Sequence, residues 1–281
     1  MFRGFDLRLH DFENEKYLKK GKEISKELYD DIEDSFEDFL EFDGIIDGNK
    51  VIENWFPSIE FDVFLSHSHR DRDLALSFAG FLKEEFNLKV FIDSAVWGHS
   101  NELIDSITQH YPQEKKKKAS DLEKLINIIS HVNLMLKSAL DKMIDNCEAI
   151  FFLNTPNSVS LNNSVQQKTN SPWIFSEIAT TQVIRKKTPE RLKKQTKIFA
   201  NMEGALMMER RNELTIQYEL ELNNFTELTR NDINKWRNKF QEKHSIDKLF
   251  ETHTFRYLNM KYKALDILYE LKPLDKKFMS S

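Results

Sequence analysis

The spacing of apolar positions along this chain changes abruptly around residue 66. Phe61-Asp62-Val63-Phe64-Leu65 is a short run rich in aromatic and β-branched residues, the composition of a strand buried on both faces. It stops in Ser66-His67-Ser68-His69-Arg70-Asp71. From there Leu74, Ala75, Phe78, Ala79, Phe81 and Leu82 recur at three and four positions, which places them on one face of a helix closed by Lys83-Glu84-Glu85. A second strand run, Leu88 to Ile92, ends at Asp93. Strand, helix and strand in such quick succession predict a βαβ unit. The sheet is then parallel, and a ligand site is expected at the carboxyl ends of its strands.

The same reading divides the rest of the chain. Residues 1–57 are expected to be a helical extension: between Lys19 and Phe42, Ile24, Leu28, Ile32, Phe36 and Leu40 make an apolar stripe on an acidic background. Such a stripe packs on the sheet domain or, alternatively, on a partner. Trp55-Phe56-Pro57 marks the boundary. Residues 58–228 form the α/β domain. Within it Ser94 to Ser100 is expected as a loop, with Gly98 free to take a positive φ, followed by a short helix through Leu103, Ile104 and Ile107. A helical insertion is expected around 111–146. It opens on the charge run Lys115 to Lys118, a solvated surface or a phosphate-contacting patch, and continues through Leu122, Leu125, Ile128, Ile129, Leu134, Leu136, Ala139, Leu140 and Met143. A third strand follows at Ala149 to Leu153, then a polar loop through Asn170, then a helix with Ser171 as N-cap and Pro172 in its first position. Thr196 to Phe199 and Leu214 to Leu222 read as further strands. Residues 229–281 return to helical spacing through Ile233, Trp236, Phe240, Phe255, Leu258, Tyr262, Leu265, Leu268 and Leu271.

Composition narrows the class. Hydrophobic residues at 40% can fill a core, whereas 7 Gly and 6 Pro are too few for a turn-rich all-β protein. A formal charge of -5 gives no global reason to expect nucleic acid. The single cysteine, Cys147, cannot pair within the chain, which suits a reducing cytoplasm. No apolar run approaches the length of a membrane span and charges fall within the first ten residues, so neither a signal peptide nor membrane insertion is expected.

Three separated segments together resemble the Toll/interleukin-1 receptor (TIR) family. Phe61-Asp62-Val63-Phe64-Leu65-Ser66-His67 is similar to its first conserved box, and Val90-Phe91-Ile92-Asp93 with Gly98 to its second. The strand Ala149–Leu153 followed by Ser171-Pro172-Trp173 and Glu177 resembles its Ser-x-Trp-Cys-x-x-Glu helix, with Ile174 in the Cys position. The resemblance spans roughly residues 58–185. It implies a flavodoxin-like parallel sheet with helical N- and C-terminal extensions. For an enzymatic member it implies cleavage of NAD at the nicotinamide–ribose bond, with NAD as substrate and no further cofactor. It puts Glu177 in the catalytic role, with Ser66, His67 and Ser68 along the diphosphate. Asp93 either takes ribose or adenosine hydroxyls or caps the following turn; Trp173 is either an aromatic wall of the site or a core anchor. Trp173 and Glu177, four apart, share one helix face, although a helix glutamate ordinarily faces solvent. The products implied are ADP-ribose or a cyclic relative, and the setting microbial antiviral defence, with homo-oligomerisation on activation and a trigger or effector protein as partner. The alternative is a non-catalytic interaction module that self-associates through the Asp93-to-Ser100 loop.

A competing pattern is His67-Ser68-His69-Arg70-Asp71, a His-x-His-x-Asp run like that which opens binuclear metallohydrolase sites. Arg72 stands where that signature needs another ligand, and a cation there repels a second metal. His99, His110, His131, His244 and His253 lack ligand spacing, so no metal is expected. Neither a Walker nor a Rossmann glycine pattern is present, nor a defensible Ser-His-Asp or Cys-His set.

Overall fold

In the computed structural model, residues 1–9, 11–12, 14–30, 46–54, 60–110, 118–160, 167–195, 216–247 and 264–273 are described. Their organising element is a five-stranded parallel sheet. In chain order its strands are β1 (Arg3–Arg8), β2 (Val63–Ser66), β3 (Val90–Ile92) and β4 (Ala149–Leu153), closing with β7 (Phe225–Thr229); β5 (Lys168–Thr169) and β6 (Tyr218–Glu219) make a small antiparallel pair apart from it. The order across the sheet is β3-β2-β4-β1-β7, every neighbour parallel. This is the parallel α/β architecture expected from the βαβ pattern and flavodoxin-like as the resemblance implies, and β3-β2-β4 reproduces the 2-1-3 start of that order.

Helices cover both faces. On one, Phe5, Leu7, Val63, Leu65, Val90, Ile92, Phe151 and Leu153 point into a core closed by α3 (Arg72–Phe86), α7 (Arg230–Asp247) and helical residues 264–271. On the other, the alternate residues Phe64, Phe91 and Ile150 meet α4 (Ser94–His110) and α5 (Lys118–Asn146), with Val51 of α2 (Gly48–Asn54) alongside. Burial on both faces is why these strands read as continuous apolar runs. Burial also pushes the Cys147 thiol well above its ordinary pKa. A thiol reagent is therefore expected to leave Cys147 unmodified in the native protein and to label it fully on denaturation; native labelling as fast as that of a free thiol would contradict this packing.

Three sequence expectations are corrected. Residues 1–57 are not a helical extension outside the sheet, because Arg3–Arg8 forms β1 between β4 and β7. The strand hides behind its charges. Arg3 is buried at 3% exposure, its guanidinium centre 5.0 Å from the Phe5 ring centroid and 5.3 Å from that of Tyr269, and it donates to the Lys272 carbonyl and Thr226 Oγ1. Asp6 accepts from Asn154 and Arg8. Second, Ser94–Ser100 is the first part of α4 rather than a loop. Gly98 costs about 1 kcal/mol inside a helix, but Leu103 and Ile107 of the same helix are buried, and their packing decides. Third, of the strand expected over Leu214 to Leu222, only Tyr218–Glu219 is a strand among the described residues. The Thr196 to Phe199 strand, the Lys115–Lys117 charges and the second half of the Lys19-to-Phe42 stripe lie outside the described residues.

The part of that stripe that is described belongs to α1 (Glu15–Asp30), which packs on α3. The two helices meet backbone to backbone: a Cβ on Gly21 would lie 1.9 Å from the Leu76 carbonyl oxygen, and one on Gly80 1.9 Å from that of Tyr17. The helices can approach this closely only where both lack a side chain.

Candidate functional site

The strand order sets the site. From β2 the chain crosses to β3 on one side and then back past β2 to β4 on the other, so β2 and β4 flank the topological switch point, where open α/β sheets bind ligands beyond their carboxyl ends. Ser66 is the last residue of β2, Asp93 follows the last residue of β3, and α6 (Pro172–Val183) follows β4 after the polar loop. The α6 start is set locally: the Ser171 hydroxyl accepts from the Ile174 N–H at 3.3 Å, and Pro172 occupies the first turn. Ile174 and Ile178 pack on Phe152 of β4 with Val159 and Leu220. With that face fixed on the sheet, Glu177 turns inward over the strand tips.

There it meets two of the residues singled out from sequence, and a third, His67, through one of them. The Ser66 hydroxyl donates to Glu177 Oε2 at 2.5 Å. Asp93 is a second carboxyl in direct interaction with Glu177, and Asp93 Oδ1 lies 2.6 Å from His67 Nδ1. That contact is close without being an aligned hydrogen bond, and it is an ion pair when the imidazole is protonated. All four residues are buried, with exposures between 0% and 4%. His67 Nε2 and Glu177 Oε1 are buried polar atoms without a hydrogen-bond partner. A buried orphan pair of this kind is costly, and clefts that bind ligands are where such groups persist.

Electrostatics separates the two ionisable ends. Burial, and then the charge of Asp93, hold the Glu177 carboxyl well above the ordinary glutamate range; the Ser66 hydroxyl and Lys137 pull the other way. Burial alone would lower His67, but the Asp93 carboxylate outweighs it, helped by the Leu65 carbonyl and Asp71, so the imidazole is raised above its usual value.

The remaining expected site residues go elsewhere. Ser68 caps the short 3-10 turn His69–Asp71, accepting from the Arg70 N–H at 3.4 Å. Trp173 packs, half-buried, against the core between the sheet and α4–α5. The His-x-His-x-Asp run does not converge: His67 turns to Asp93, His69 is exposed, and Asp71 Oδ2 and Oδ1 accept from Thr155 Oγ1 at 2.5 Å and Asn157 Nδ2 at 2.7 Å. Among the described residues no group of three or more metal-binding side chains comes together.

Sequence reasoning missed two features here. One is the Asp71 latch, which ties the turn before α3 to the loop after β4. Asp71→Ala is expected to lower stability by about 1–3 kcal/mol, the cost of leaving the buried Thr155 O–H without its acceptor, read as a lowered melting temperature; an unchanged melt would mean the loop is held elsewhere. The other is Lys137 on α5, which pairs with Asp141 and donates to Thr180 Oγ1 at 3.2 Å, one turn beyond Glu177. Its one sequence signal was the Lys137/Asp141 spacing of four on a helix.

Fold and site together define a parallel α/β protein with a buried acid at the sheet's switch point. No protein-family model, curated protein or solved structure matches the chain. Among the described residues no helix is long and apolar enough to cross a membrane.

Proposed function

We propose that this is a TIR-like protein that cleaves NAD at the nicotinamide–ribose bond, with Glu177 as the catalytic residue. The observation that carries the reading is the placement of the Glu177 carboxyl, buried at the switch point on the tip of β2 with one oxygen bound by Ser66 and the other unpartnered. In this reaction the C1′–N bond breaks and its electron pair leaves with nicotinamide, which is neutral once released. No general acid is needed. What must be stabilised is the positive charge gathering on the ribose, as in other glycosyl transfers, and a fixed carboxylate in a dry site does this well. A carboxyl that burial and a neighbouring acid bias toward its neutral form ionises most readily when a positive charge arrives beside it, its proton passing to solvent. The nicotinamide ribosyl group is such a charge. Water then traps the sugar cation to give ADP-ribose and a proton, or an adenine nitrogen traps it to give a cyclic product.

Asp93 and the Ser66-His67 turn lie within the same cluster, which supports assigning them to ribose hydroxyls and diphosphate. The test is incubation of the full chain with NAD, at high concentration as well as dilute, following free nicotinamide. Release by the wild type and its loss in Glu177→Gln support the reading; release undiminished in Glu177→Gln removes Glu177 from it, and no release at any concentration removes the reaction.

A further inference from the structure

Glu177 can stabilise a sugar cation only as a carboxylate, yet it is buried beside a second acid. Two like charges in a dry cluster cannot both persist without a counter-charge. The described groups facing Glu177 are the Ser66 hydroxyl from β2, Asp93 from the end of β3 and Lys137 from α5. Lys137 is already engaged by Asp141 and Thr180 and stands more than a third exposed, so solvent screens it. The fully buried group in the cluster able to carry a positive charge is His67. Its side chain is 0% exposed, with Nδ1 2.6 Å from Asp93 Oδ1; the other acid facing it, Asp71, is committed to Thr155 and Asn157.

We propose that His67 is a positioning residue that acts on Glu177 through Asp93: its imidazolium neutralises the Asp93 carboxylate and so permits Glu177 to carry charge. The inference gives His67 a role distinct from touching diphosphate. It explains why a titratable ring is sealed at the tip of β2 with Nδ1 2.6 Å from the Asp93 carboxyl. The raised imidazole described above agrees with it in sign; the raised glutamate reflects the burial and the Asp93 charge that the imidazolium offsets. It rests on the reading of Glu177 as the catalytic acid only for its consequence, not for the coupling itself.

The coupling is measured without activity. An infrared titration of the full chain follows the protonated-carboxyl band, assigned to Glu177 by its loss in Glu177→Gln. In His67→Gln the Asp93 charge is uncompensated and the Glu177 midpoint is expected to rise by about one pH unit or more. In Asp93→Asn it is expected to fall by a similar amount, and His67→Gln added to Asp93→Asn is expected to move it no further. A midpoint unmoved in His67→Gln, or moved equally with and without Asp93, overturns the proposal; should His67→Gln fail to fold, an unmoved midpoint in Asp93→Asn does so. If nicotinamide is released, the acid limb of its pH profile is expected to follow the same shifts. Shifted midpoints in a protein that releases no nicotinamide overturn the NAD reading and leave the His67 coupling standing.

Discussion

At neutral pH, Glu177→Gln is expected to melt higher than the wild type and, on the proposed NAD-cleaving reading, to lose about a hundredfold or more of nicotinamide release. The two effects have one cause. A carboxyl whose pKa is higher folded than unfolded takes up protons on folding, so it withdraws stability as pH rises above the ordinary glutamate value of about 4.3 and goes on doing so up to its folded value. Glutamine has no proton to lose, and its carbonyl can still accept from the Ser66 hydroxyl. The two melting curves are therefore expected to coincide near pH ~4 and to separate progressively toward neutrality, with the variant above by a few degrees if the burial penalty is on the order of 1 kcal/mol. A variant that melts lower than wild type across the range would show that the carboxylate is a charged structural anchor. Sites that sacrifice stability for a placed charge behave in the way expected here.

Gly80→Ala is expected to be among the most damaging substitutions of a single methyl group. The added Cβ would meet the Tyr17 carbonyl oxygen at 1.9 Å and the Gly21 nitrogen at 2.9 Å. Both are backbone atoms of α1, so no side chain can rotate aside; the helices must part. Beneath that crossing lie Phe78, Phe81 and Leu82, part of the core shared with Trp236 and Phe151. Overpacking of this kind costs about 3 kcal/mol, or roughly 6–12 °C in melting temperature for a chain of this size. Gly48→Ala is the control: a Cβ there would sit 3.4 Å from the flexible Met135 side chain, and the melt is expected to stay close to wild type. Equal behaviour of the two variants would sink the proposed helix crossing.

The central strands were legible because they are buried on both faces and nearly free of charge: Phe61–Leu65, Leu88–Ile92 and Ala149–Leu153 lead straight to β2, β3 and β4. The start of α6 was legible from Ser171 and Pro172, whereas an inward Glu177 was suggested only by the family resemblance. β1 was not, because Arg3, Asp6 and Arg8 break the apolar pattern and their partners Lys272, Thr226, Asn154 and Glu227 lie far along the chain. Periodicity sees neighbours in sequence and is blind to a charge satisfied from more than a hundred residues away. The start of α4 was misjudged because Gly98 punctuates the sequence more strongly than it does the helix. The His67–Asp93 pair was hidden for a different cause. Each residue stood in the expected site, but only the adjacency of β2 and β3 shows that they face one another.

The position of β1 has a consequence for how the molecule assembles during synthesis. It leaves the ribosome before both of its neighbours, one from the middle of the chain and the other from its last quarter. Until β7 emerges, the growing polypeptide must carry a sheet position that it cannot fill on both sides, and unpaired strand borders of that sort invite chaperones or unwanted association. Closing the sheet is thus a late, long-range event of high contact order.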